Sequence, residues 1–212
     1  MKHRSEMTEA EELAAVQRVS RDLLAYRPEL GVNTWGGIPH PAMLIWAGRI
    51  LDFLEVAESI VGFPPARRQS YDVGYRSGWE GAIANAAELA GLSADEAGVR
   101  LALFGNRILV GAGWGRCTIE YDSDAKSVVW EFPKGTALAQ AARLEGTREH
   151  VACPFISGYI AGWTNRALGA EIEVREAACV ARGDPACRFE STPFLRFREG
   201  PAEPAGASPG IP

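Results

Sequence analysis

The sequence predicts an α+β domain in which an antiparallel sheet, built from two hairpins, packs against helices. Three observations carry this reading. In the first half of the chain, apolar residues recur at helical spacing behind capping signals. The period then changes: residues 108–121 and 127–132 carry β-branched and aromatic side chains around the turn Ser123-Asp124-Ala125-Lys126. A second strand–turn–strand pattern, EIEVREAACVARGDPACRFE, follows the last helical stretch. A hydrophobic content of 47% beside 23% charge gives a chain of 212 residues enough apolar surface for a sizeable core.

Taken in order, Thr8-Glu9-Ala10-Glu11 reads as a capping box, with Leu13, Val16, Leu23 and Leu24 as the stripe behind it. Residues 1–27 are therefore expected to form an N-terminal amphipathic helix, ended by Pro28. Residues 28–41, PELGVNTWGGIPHP, read as loop by their glycines and prolines. MLIWA at 43–47 predicts a short buried strand leading into a helix over 49–61, with Gly62 where a C-cap glycine belongs. Pro64-Pro65 suits the first turn of a further helix running to about residue 90. Gly74, Gly78 and Gly81 lie along one side of that helix, where another backbone can approach. Ser93-Ala94-Asp95-Glu96 is a second capping box, opening a helix to Phe104. Beyond the first hairpin, Pro133-Lys134-Gly135 breaks the chain, helices are expected at 136–144 and 154–168, and a strand at 171–178. Residues 28–197 thus read as one domain, and the Pro/Gly/Ala-rich residues 198–212 as a disordered tail.

Composition excludes several classes of function. A net charge of −5 and a pI near 5.3, with scattered basic residues, leave no footprint for nucleic acid. The N-terminus turns acidic before any apolar run, so no signal peptide is expected. The most apolar window, 42–61, is interrupted by Gly48, Arg49, Asp52, Glu55 and Glu58, which argues against a membrane span. A cytoplasmic location follows as the expectation, and there four cysteines argue for metal, catalysis or incidental burial rather than disulfides.

GAGWG at 111–115 is rich in glycine, yet no helix pattern follows and strand pattern resumes at Arg116. The reading is a bare strand face formed by Gly111, Gly113 and Gly115 rather than a phosphate loop. His3, His40 and His150 lie in no catalytic signature, and neither HExxH nor GxSxG occurs, so no catalytic residue is assigned. Trp114 and Trp130 come from the first hairpin; Phe155, Tyr159 and Trp163 share one face of the last helix by their i, i+4, i+8 spacing. These five are either an aromatic core stripe or the walls of a small-ligand pocket.

The C-terminal hairpin poses a sharper question. Glu176 falls on the same side of its strand as Ile172 and Val174, where an unpaired charge is costly. Its neighbours are the thiols of Cys179 and Cys187, which a cation would reconcile with the acid. Zn²⁺ takes both thiolate sulfur and carboxylate oxygen. Cys153, at the start of the helix leading into this strand, is the candidate fourth ligand, while Cys117 reads as a plain buried thiol. The spacing C-x25-C-x7-C is by itself compatible with a metal site or with a hairpin that carries thiols.

Residues 150–190, HVACPFISGYIAGWTNRALGAEIEVREAACVARGDPACRFE, resemble the 4-vinyl reductase domain family. The matching elements are a cysteine opening a glycine-containing helix, a strand ending in E-x-x-C, and then G-D-x-x-C. DVGYRSGWEGA resembles a helix of the family's aromatic-sensing branch. The resemblance implies a fold related to nitric-oxide-sensing and trafficking-adaptor domains. It also implies a structural Zn²⁺ held by Cys153, Glu176, Cys179 and Cys187, pinning the C-terminal hairpin. In phenol- and toluene-responsive activators the corresponding domain binds an aromatic effector and dimerises; Trp130 is the match to their hydrogen-bonding tryptophan. No G-x-x-x-x-G-K-[ST] loop accompanies the resemblance, so the expectation is a stand-alone domain. That domain would bind a small hydrophobic or aromatic ligand as a homodimer and signal to a regulatory protein partner. The alternative is an accessory, carrier or reductase protein acting on a tetrapyrrole precursor of bacteriochlorophyll, although no nicotinamide or flavin fingerprint is present. A protein-interaction adaptor is a third reading.

Overall fold

The computed structural model describes residues 2–18, 24–27, 32–35, 41–42, 47–89, 109–122, 124–125, 127–168 and 171–193. Its main layer is a five-stranded antiparallel sheet in the order β1-β5-β6-β8-β7. The strands are β1 (Lys2–Ser5), β5 (Thr118–Asp122), β6 (Ser127–Phe132), β7 (Val174–Ala178) and β8 (Cys187–Ser191). Both expected hairpins form, β5–β6 and β7–β8, and the seam between them is the β6–β8 pairing from Val129↔Glu190 to Phe132↔Cys187. Alternation decides the faces. Ile119, Tyr121, Val128, Trp130, Phe132, Cys187 and Phe189 point into the core, each 2% exposed or less. Across the other face, Arg188 pairs with Glu131 and Glu190, and Arg175 with Glu190.

The buried face is covered by α3 (Phe63–Leu89) and by the helix Pro154–Leu168, which is α5; α4 is Ala137–Leu144. Glycine sets how closely α3 and α5 cross. A Cβ added at Gly158 or Gly162 would collide with the carbonyl of Tyr71 or Tyr75, and one at Gly74 or Gly78 with that of Phe155 or Tyr159. Close backbone approach, the expected use of Gly74 and Gly78, is therefore what they provide, and α5 contributes a matching pair. Asn165 ties α5 to the strand that follows: its side chain accepts from the Ile172 N–H at 2.9 Å and donates to the Ile172 carbonyl at 3.0 Å.

The N-terminal region differs from a single helix over 1–27. Lys2–Ser5 is a sheet strand paired with β5, α1 spans only Glu9–Arg18, and Leu24–Arg27 is β2 of a small separate sheet. The capping box does form: Thr8 Oγ1 accepts from Glu11 N–H and Glu11 Oε2 accepts from Thr8 N–H. Leu13 and Val16 of the expected stripe are 58% and 45% exposed, whereas Ala15 of α1 and the preceding Met7 pack with Val110. Inside 28–41, read as loop, Val32–Trp35 is β3, and Pro41–Ala42 is β4. Main-chain pairing overrode the local turn chemistry there.

Helix α2 (Ala47–Val61) ends as expected at Gly62, whose φ of 85° is the left-handed cap conformation. Its orientation is unusual. Glu55 and Glu58 face the body and pair with Arg148 and Arg67, while Phe53, Val56 and Ile60 face out at 69%, 56% and 75% exposure. The strand expected to begin at 108 begins only at Thr118. Residues 109–111 are helical and lead into a turn, closed by Gly113 N–H to Val110 O and Trp114 N–H to Leu109 O. Gly113 and Gly115 have φ of 80° and 126°, so GAGWG is a turn and not a bare strand face. The expected strand at 43–46, the helix 93–104, and the tail 198–212 lie outside the described residues. No described helix is long and apolar enough to cross a membrane.

Candidate metal centre and aromatic cluster

Pairing of β7 with β8 is interrupted by a bulge between Glu176 and Ala178, where the strand meets its turn. Cys179 follows in extended conformation, then a 3₁₀ turn over Val180–Arg182, and Gly183 at φ 98°. Asp184 holds this turn by accepting from Cys179 N–H at 2.8 Å and from Arg182 Nη2 at 2.7 Å. Those contacts, the Cys179 N–H first, keep its carboxyl below the ordinary aspartate range. Cys187 opens β8, and Cys153 precedes the first residue of α5.

The fold gathers these residues at one point. Sγ of Cys153, Cys179 and Cys187 and a carboxylate oxygen of Glu176 all lie within 4.8 Å of one another. The three cysteines are fully buried and unbridged, with Sγ of Cys179 and Cys187 3.9 Å apart. Glu176 Oε2 accepts from the Cys153 N–H at 2.8 Å, whereas its Oε1 is buried with no hydrogen-bond partner among the described residues. Burial, with Cys179 adding to it, pushes Glu176 up to about 9. Burial likewise raises the Cys153 thiol, while hydrogen bonds from Cys153 and Cys179 pull Cys187 down to about 4. Four convergent electron-pair donors, one oxygen of them orphaned, fit a thiophilic dication that would relieve all four at once.

The aromatic residues divide. The Trp114 ring lies 5.5 Å from that of Phe155 and 6.0 Å from that of Tyr159, so the 109–115 turn meets a half-buried side of α5's first two turns. Burial pushes the Tyr159 hydroxyl up to about 12. Trp130 and Trp163 sit deeper, 2% and 4% exposed, and the Trp163 indole N–H has no partner among the described residues. His150 is exposed and its ring lies tilted against that of Phe63, centroids 4.4 Å apart; His40 lies outside the described residues. Cys117 is buried, as expected, and burial raises its thiol. Two residues of the centre went unread in the sequence. Asp184 was visible as part of a Gly-Asp-Pro turn, and Thr136, whose Oγ1 is 3.0 Å from Cys153 Sγ, only as the residue before a helix.

Residues 140–193 match the V4R domain family. No curated protein sequence matches the chain. Among solved structures, the phenol-responsive sensory domain of the transcription activator PoxR, crystallised with phenol, superposes with a TM-score of 0.67 at 21% identity, over 88% of this chain and 92% of that one. Two others are a trafficking protein particle complex subunit 3 from Naegleria fowleri, covalently bound to palmitic acid, and a vinyl-4-reductase family protein from Methanocaldococcus jannaschii. The first has a TM-score of 0.45 and 14% identity, over 70% of this chain and 96% of that one. The second has a TM-score of 0.40 and 17% identity, over 76% and 100%. The PoxR likeness is one of fold, and the family match spans all four residues of the Cys/Glu cluster. Residues 140–193 of this chain thus resemble the V4R domain family.

Proposed function

We propose that this protein is a ligand-binding regulatory domain, spanning residues 28–197, in which a structural zinc supports an aromatic site for a small hydrophobic or aromatic molecule. One observation carries the reading: Cys153 belongs to the metal cluster and immediately precedes the helix that bears Phe155, Tyr159 and Trp163. Cys153, Glu176, Cys179 and Cys187 would hold the ion; four protein ligands leave no open position, so zinc would supply a cross-link rather than catalysis. Phe155 and Tyr159 would present their rings with Trp114, and the Trp163 N–H offers a hydrogen bond to a polar atom of the ligand. The likeness to a phenol-responsive domain supports phenols as the first class to try.

Phenol titrated against the purified protein is expected to change the fluorescence of its six tryptophans saturably. Trp114→Ala should weaken that response by about tenfold, on the scale of one or two aromatic contacts. A saturable response to porphyrins with none to phenols would favour the tetrapyrrole reading instead. The outward face of α2 favours association as well: Phe53, Val56 and Ile60 form an exposed apolar stripe at i, i+3, i+7. We assign it to a homodimer contact. Phe53→Glu with Ile60→Glu should convert a dimer to a monomer in sedimentation velocity while leaving the melting temperature of the monomer unchanged; unaltered sedimentation would place the contact elsewhere.

A further inference from the structure

The hydrogen-bond donors around the metal cluster lead to one side chain outside it. Backbone groups supply most of them: Ala152 N–H faces Cys179 Sγ and Val180 N–H faces Cys187 Sγ, each at 3.4 Å. Their positions are set by the chain path. Thr136 is different. It is fully buried at the N-cap of α4, where its Oγ1 accepts the Ala139 N–H at 3.1 Å and lies 3.0 Å from Cys153 Sγ. A hydroxyl carries one proton and two lone pairs. With a lone pair engaged by Ala139, the proton remains to be directed at sulfur. A metal-bound cysteine is a thiolate without a proton of its own, so in that state the hydroxyl must be the donor.

We infer that Thr136 is a positioning residue for the metal, its hydroxyl donating to the Cys153 thiolate. This rests on the zinc reading given above. Three thiolates and a carboxylate more than balance a dication, and the excess negative charge sits in a buried site where water cannot spread it. Donors at the sulfurs take up that charge and fix the orientation of the ligands. Among the described residues, Thr136 is the one side chain outside the four ligands that does so. Its position also joins two parts of the molecule, since the next residue, Ala137, donates its N–H to the Trp114 carbonyl at 2.8 Å. The residue that orients Cys153 therefore adjoins the one that anchors the aromatic turn.

The test uses the full chain and Zn²⁺ alone, in competition with a chromophoric chelator, with Co²⁺ substitution as the spectroscopic readout. Thr136→Val keeps the shape but lacks the hydroxyl, and should bind Zn²⁺ about 10–100-fold more weakly and shift the sulfur-to-cobalt charge-transfer band. Thr136→Ser should match the wild type in both. Loss of the helix cap alone would lower the stability of metal-free and metal-loaded protein equally, leaving affinity and spectrum untouched; that result overturns the inference. A second readout needs no variant. In cadmium-loaded wild-type protein the Thr136 hydroxyl proton should exchange slowly and show coupling to the metal across the hydrogen bond, and its absence would overturn the inference. Wild-type protein that takes up no Zn²⁺ would instead refute the zinc reading, and this inference with it.

Discussion

Cys187→Ala is expected to release the metal and lower the melting temperature by roughly 6–20 °C. Cys187 is fully buried and pairs in register with Phe132, at the seam joining the two hairpins. Without its sulfur the remaining ligands cannot complete a tetrahedral shell. Cys153, Cys179 and Glu176 would then be left in a buried pocket, one carboxylate oxygen already lacking a hydrogen bond. Breaking a buried charged set by deleting one member costs about 3–5 kcal/mol, and each kcal/mol moves the midpoint of a domain this size by about 2–4 °C. Cys117→Ala is the control: it is equally buried, stands outside the cluster, and should keep its metal. Metal content by mass spectrometry and melting by calorimetry would be read on the same samples. Full metal occupancy in the Cys187 variant, or an unchanged melting temperature, would remove the cluster's claimed role.

Gly158→Val should destabilise the domain by about 3 kcal/mol or more, at or beyond the upper end for overpacked cores. The reason is what the new side chain meets. Most overpacking is relieved by rotating a neighbouring side chain, whereas here the obstacle is the Tyr71 carbonyl of α3, fixed by its own helix. Relief requires α3 and α5 to separate. Separation would pull on the Asn165 bonds to Ile172 and on Cys153 at the head of α5. The metal affinity of this variant should therefore fall along with its stability. Gly48→Ala tests the same kind of change without the collision, since nothing lies within 4 Å of a Cβ there. It should be neutral or stabilise α2 by up to about 1 kcal/mol. Urea denaturation of the two variants separates close helix crossing from simple helix propensity; equal effects would show that the glycines of α5 are not needed for the crossing.

Legibility in the sequence followed the range of the interaction involved. Helix α5 was expected at 154–168 and occupies Pro154–Leu168, because proline and an uninterrupted helical pattern mark it locally. The turn at Asp124-Ala125 between β5 and β6 was legible for the same reason. The segment from residue 108 misled: Ile108, Leu109 and Val110 look like a strand, yet two backbone bonds to the carbonyls of Leu109 and Val110 close a helical turn before Gly113 and Gly115 reverse the chain. Lys2–Ser5 carries no strand pattern at all, and is a strand only because β5 offers it a free edge.

The metal cluster shows the same division. Sequence by itself pointed to Glu176, Cys179 and Cys187, because an acid at an inward strand position beside two thiols is a local contradiction visible in parity; Cys153 joined them through the family resemblance. Only the tertiary structure decided that Cys153 arrives within reach of them, that Thr136 stands against its sulfur, and that Trp114 comes from a turn rather than a strand. Chemistry belongs to single side chains and is written in their identities, whereas distance between residues far apart in the chain is set by how closely two helices can cross, and that depends on which backbone each glycine faces.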